Sequence, residues 1–156
     1  MCKIKSIDVG NYLRWKAFEA GYWLNKTQLQ KMLYITYGLY IAKYEEPPFT
    51  DDAPKAWPFG PVFPIVNKRI DIDTEPFKPF NLNEIEAHTR LNDIVGYVVA
   101  TYSGYSARAL SEWSHEEGGP WHTTLFSEKK EGFTKWNKEI TNESIKNYFK
   151  ENFLNQ

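Results

Sequence analysis

The sequence predicts a mainly α, single compact helical domain with long Pro-rich loops and at most a short β-hairpin. Three observations predict it. Apolar residues recur at helical spacing in five or more segments, sustained two-residue alternation is missing, and capping residues or Gly breaks bound most of the periodic stretches. At 156 residues the chain sits near the usual domain size and can bury a core without disulfides or metal. With 17% aromatic residues, that core is expected to be rich in rings.

The first helix is expected over 9–20, with Asp8 as its cap and Gly21 as its stop. In the second, Asn25 is the N-cap, Gln28 completes a capping box, and Leu24 can staple onto Leu29. Leu29, Met32, Leu33, Thr36, Tyr37, Tyr40 and Ile41 form its inward stripe, and Lys43 ends it. Residues 45–61 hold five prolines and no helical period, so they read as an ordered loop with one extended piece at 55–57. Loops this long are disproportionately functional, which draws attention to Ala56-Trp57-Pro58-Phe59-Gly60-Pro61.

A short helix at 64–70 follows, with Phe63 as N-cap and Pro64 in the favoured first position. Residues 71–83 read as irregular, and one helix capped by Asn81 or Asn83 then runs to Tyr102, where Ser103-Gly104 breaks it. Further short helices are expected at 106–114, with Leu110 and Trp113 inward, and from Pro120 to Phe126. Residues 127–156 read as a charged connection leading to an amphipathic helix over 142–153. Its Ile145, Tyr148, Phe149 and Phe153 face docks on the 1–126 domain, the alternative being a detachable partner-binding arm.

Net charge is −1, split as +2 for residues 1–78 and −3 for 79–156, and this balance argues against a duplex nucleic-acid binder. Cys2 has no partner for a bridge, the first residues lack an apolar signal core, and no run approaches a membrane span. A cytoplasmic protein without membrane contact is the expectation.

Catalytic patterns fit poorly. His115-Glu116-Glu117 lacks the second His at i+4 that a zinc-binding helix needs, and His88 and His122 do not supply ligand spacing, so no metal and no cofactor is expected. His115 at a helix C-terminus suits the dipole, and its ring can bond loop backbone. Cys2, Ser103, Ser106, Ser111 and Ser114 lie in no nucleophile motif, and no Gly-rich phosphate loop occurs. Glu45/Glu46, Asp51/Asp52 and Glu116/Glu117 read as solvated turn charges rather than acid/base dyads. A binding module is favoured over an enzyme.

Three segments in order resemble the Panacea domain family, typified by the SocA antitoxin and by GepA-like phage-associated proteins. They are Leu24–Tyr34 with its Leu29-Gln30-Lys31-Met32-Leu33-Tyr34 core, Ala56-Trp57-Pro58-Phe59-Gly60-Pro61-Val62, and Leu110–Trp121 with Ser114-His115 and Pro120-Trp121. Met32 stands where the family has Leu, Ser114 where Thr is usual, and residues 126–156 lie outside the likeness. The resemblance implies a helical fold and the antitoxin half of a bacterial or phage toxin–antitoxin pair. Its partner is a cognate toxin protein bound directly, with a cytosolic protease as a further partner where the antitoxin acts as a tether. Trp57 and Trp121 read equally as core or as anchors, and Gly60, Pro61 and Pro120 as backbone-setting residues. Gln30, Lys31, His115 and Glu116 are the polar candidates for a network tying the loop to the helices or for a recognition surface, with the exposed side of the 30–31 helix included. A hydrolase using His115 and Glu116 beside Lys31, and a DNA-binding autoregulator, are the competing readings.

Overall fold

The computed structural model describes residues 4–126 and 138–154. Helix α1 spans Ser6–Glu19 and α2 spans Lys26–Tyr44; strands β1 (Lys55–Trp57) and β2 (Gly60–Val62) form a hairpin. Then come α3 (Pro64–Arg69), α4 (Leu82–Ala87), α5 (Thr89–Tyr102), α6 (Ala107–Ser114) and α7 (Pro120–Phe126). Strand β3 (Lys138–Glu139) and α8 (Asn142–Phe149) follow, and α8 continues as a π-helical turn over Lys150–Leu154.

Helix α2 is the axis of the molecule. Asn25 Oδ1 accepts from Gln28 N at 2.8 Å while Gln28 Oε1 accepts from Asn25 N at 2.9 Å, the reciprocal capping expected of that pair. Every residue from Leu29 to Ala42 is buried, because α1, α3, α5, α6, α8 and β2 all pack around it. A helix buried all round carries no polar stripe, and the expected exposed side at Gln30 and Lys31 does not exist. Rings fill the surrounding space as the composition foretold. Tyr37, Phe49 and Phe63 pack mutually with centroids 5.3–5.5 Å apart. Tyr34, Trp113, Phe149 and Phe153 form a second cluster, in which Phe149 and Phe153 stack at 4.6 Å.

Local departures from the sequence expectation have identifiable causes. Helix α1 begins three residues early, at Ser6, because the buried Ser6 N–H and hydroxyl donate to Asp51 at 2.9 and 3.1 Å; Asp8 is the third helical residue and accepts from Lys5 N. The single helix expected before Tyr102 is two. His88 interrupts it, and its Nδ1 accepts the Leu91 N–H that opens α5. Asp52, read as a solvated turn charge, is 3% exposed and accepts from Ile65 N and Val66 N at 3.0 and 3.1 Å, capping α3 where Phe63 has no side-chain oxygen to offer. A third strand, β3, joins the hairpin by pairing antiparallel with β1, giving sheet order β2-β1-β3. The amphipathic segment docks on α2, with Ile145 and Phe149 fully buried. Cys2 and the charged connection over 127–137 lie outside the described residues. Among the described residues, no helix is long and apolar enough to cross a membrane.

Candidate functional site

The β1–β2 hairpin turns through Pro58-Phe59, with Trp57 opposite Gly60, and three side chains from elsewhere hold its backbone. Gln30 on α2 grips both sides of one residue: its Oε1 accepts from Phe63 N at 2.7 Å and its Nε2 donates to Phe63 O at 3.2 Å. One residue on, Lys31 Nζ donates to Pro61 O at 3.2 Å. From the opposite side, Trp121 Nε1 donates to Trp57 O at 2.7 Å. Of the four polar candidates, Gln30 and Lys31 tie the loop to α2, and Trp121 adds a tie from α7. Each bond ties a main-chain group of the hairpin, or of Phe63 just after it, to a helix side chain.

Pro120 opens α7 at its first position, and this places Trp121 under the hairpin, 7% exposed. Trp121 is thus a core residue, whereas Trp57 is half-buried and Phe59, at the hairpin tip, is 82% exposed. The His115 ring stacks on Trp121 with centroids 4.2 Å apart and planes 18° apart. It does not bond loop backbone: its Nε2 is buried and has no hydrogen-bond partner.

Gly60 lies between these groups with φ +119°, a backbone state that side chains seldom adopt. A Cβ built there would lie 2.8 Å from Lys31 Nζ and 3.0 Å from His115 Nε2. Gly60 also lines a cleft of about 470 Å³, shared with Lys31 and His115 and with Trp57, Phe59 and Val62. Burial lowers the Lys31 ammonium from its ordinary 10.5 to about 8, and no charged neighbour offsets that effect.

Gln30, Lys31, Trp57, Gly60 and His115 thus line one cleft; Pro61 holds Lys31 from below, and Trp121 backs His115. Glu116 and Pro120 do not join them. They border a separate hollow against α8, where Tyr148 donates to Glu116 Oε2 at 3.1 Å. A Lys31–His115–Glu116 catalytic grouping is therefore not assembled. Sequence reasoning missed Thr27, Asn67 and Ser111, which also line the cleft. For Thr27 and Ser111 a signal existed, since each precedes Lys31 or His115 by one helical turn and shares its face. Asn67 carried none. Among the described residues no three His, Cys, Asp or Glu side chains gather as a metal site; His88 caps α5, and the His122 ring packs on Phe126 at 4.7 Å.

The family model for the SocA-like antitoxin, Panacea domain, matches residues 29–122. That span contains α2 from Leu29 onward, the hairpin, α6 and the opening of α7, the elements that line or back the cleft. No curated protein and no solved structure matches the chain. With more than half of its length covered by that model, and with the three motif segments converging on one place in the fold, the chain belongs to the SocA-like antitoxin family, as a Panacea-domain protein.

Proposed function

We propose that the protein is the antitoxin of a bacterial or phage toxin–antitoxin pair and neutralises its cognate toxin by direct, stoichiometric binding at the hairpin face. The observation that carries this reading is the convergence of motif segments, some 80 residues apart in sequence, on an open cleft edged by an exposed aromatic tip. A fold needing these residues only for packing would bury Phe59, and it is 82% exposed. Aromatic side chains at the edge of a concave, partly polar surface are the usual anchors of protein interfaces. Turnover is not part of the reading, because Glu116 is engaged by Tyr148 away from Lys31 and His115.

The test uses a toxic reading frame adjacent to this one, co-expressed with the full chain. Phe59→Ala is expected to melt with the parent protein, since an exposed tip contributes little to folding. It is expected to weaken toxin binding by about 2 kcal/mol and to impair growth rescue. Full rescue by a folded Phe59→Asp variant would remove the hairpin tip from the interface. Toxin half-life followed in the same cells, with and without the cytosolic proteases, tells whether binding leads on to degradation, as a tether role requires.

A further inference from the structure

The Lys31 side chain is 4% exposed, and an ammonium group has three N–H donors. Among the described residues one acceptor meets it, Pro61 O. Among the described residues no carboxylate lines the cleft, and its remaining polar lining comprises Thr27, Gln30, Asn67 and Ser111, with Lys26 adding a second positive charge at the α2 N-terminus. His115 Nε2 is buried beside it without a partner. A Cβ on Gly60 would stand 2.8 Å from Lys31 Nζ and 3.0 Å from His115 Nε2, so the two nitrogens approach the same side of the Gly60 backbone. A buried cation with so little compensation is costly, and an uncharged side chain of like length would fill the space at lower cost. The arrangement becomes favourable once an anion accepts from both nitrogens.

Resting on the antitoxin reading, we propose that this cleft is a carboxylate receptor that takes an Asp or Glu side chain of the bound toxin, with a neighbouring apolar residue of the toxin against Trp57 and Phe59. Two oxygens of one carboxylate match two nitrogens on one side of the Gly60 backbone. Trp57, Phe59 and Val62 favour a protein side chain over free phosphate. They are apolar, no arginine is among the described lining residues, and Asn25 already engages the Gln28 N–H in the first turn of α2, so a dianion would find fewer donors than phosphate sites supply. With no acidic residue among the described lining, the charge complementarity is one-sided: the receptor is cationic and its ligand must bring the negative charge.

The experiment titrates the folded full-length chain with three probes: N-acetyl-Phe-Glu-amide, N-acetyl-Phe-Gln-amide and inorganic phosphate. The readouts are the NMR signals of the Trp121 indole N–H and the His115 ring, which stack beside the site. The glutamate peptide is expected to shift both saturably with Kd of about 1 mM, and the glutamine peptide to bind at least about tenfold more weakly. Lys31→Met and His115→Asn, each confirmed folded by melting, are expected to lose the difference between the two peptides. Equal affinity for both peptides, no saturable shift, tighter binding of phosphate than of the glutamate peptide, or undiminished discrimination in folded Lys31→Met would each overturn the receptor. The glutamate–glutamine contrast in the unsubstituted protein needs no variant, so a misfolded substitution leaves the test intact. Growth rescue by the unsubstituted chain separates the two levels. Failed rescue with a positive titration removes the antitoxin reading, and rescue with a flat titration removes the carboxylate receptor alone.

Discussion

Two glycines, Gly38 within α2 and Gly60 beside it, are used in different ways. At Gly38 the space left by the missing side chain is filled by the Phe149 ring of α8, which sits where a Cβ would project. At Gly60, which lines the cleft, the corresponding position is approached by Lys31 Nζ and His115 Nε2, 2.8 and 3.0 Å from where a Cβ would stand. The first glycine permits close approach of one helix to another and contributes to stability through an interlocked ring. The second permits close approach of two side-chain nitrogens to the hairpin backbone beside the cleft, one of them a buried ammonium that packing alone disfavours. The difference separates a region closed by packing rings from the region proposed above for recognition.

The largest effect expected from that contrast is at Phe149→Ala. Phe149 is fully buried against Tyr34, Trp113 and Phe153, so truncation is expected to cost about 4 kcal/mol in denaturant unfolding. This residue lies outside the 29–122 family match, and a loss below about 1 kcal/mol would show that α8 is dispensable to the domain.

Gly38→Ala comes next. Helix propensity by itself favours alanine by about 1 kcal/mol, but the new methyl meets the Phe149 ring, so a net destabilisation of about 2 kcal/mol is expected. In the Phe149→Ala background the same change is expected to become neutral or stabilising. Additive losses in that double-mutant cycle would break the contrast drawn at Gly38.

The smallest shift is at Lys31→Met, and its pH dependence is the sharper reading. Lys31 titrates near 8 when folded and near 10.5 when unfolded, so between those values the unfolded chain holds more protons. Stability therefore rises with pH across that window, by up to about 3 kcal/mol, as the folded state is relieved of its buried charge. Tyr12, Tyr37, Tyr102 and Tyr148 are pushed up to about 12, chiefly by burial, and act in the opposite direction only above about pH 10. The methionine variant is expected to lose the rise near pH 8–9. At neutral pH it is expected to match or exceed the parent by about 1 kcal/mol, because the relief of a buried charge is partly offset by the unpaired Pro61 carbonyl. A variant that is markedly less stable at neutral pH would make Lys31 a structural residue rather than one kept for a ligand.

Much of the architecture was legible because its signals are local. The Asn25–Gln28 box, Pro64 and Pro120 at first helical positions and the Ser103-Gly104 break each act within one turn of chain. The His88 break was not legible, since an apolar helical period runs through α4 and α5 and the ring substitutes for a conventional capping oxygen. The roles of Asp51 and Asp52 were invisible for a different reason: they cap helices 45 and 13 residues away, and no spacing rule links a cap to a distant helix start.

By itself the sequence determined a helical, ring-rich protein, the places where most helices begin, and three motif segments of the SocA-like antitoxin family, because propensity, capping and composition operate over a few residues. Tertiary structure alone decided that Gln30 and Lys31 are buried rather than displayed, that Glu116 turns to Tyr148 while His115 stacks on Trp121, and that β3 completes the sheet. The physical reason is that burial depends on how many neighbours surround a helix. An amphipathic stripe reports one packed face, but α2 is enclosed on all sides by segments up to about 120 residues distant, and only their assembly turns a surface lysine of the sequence into the cationic lining of a cleft.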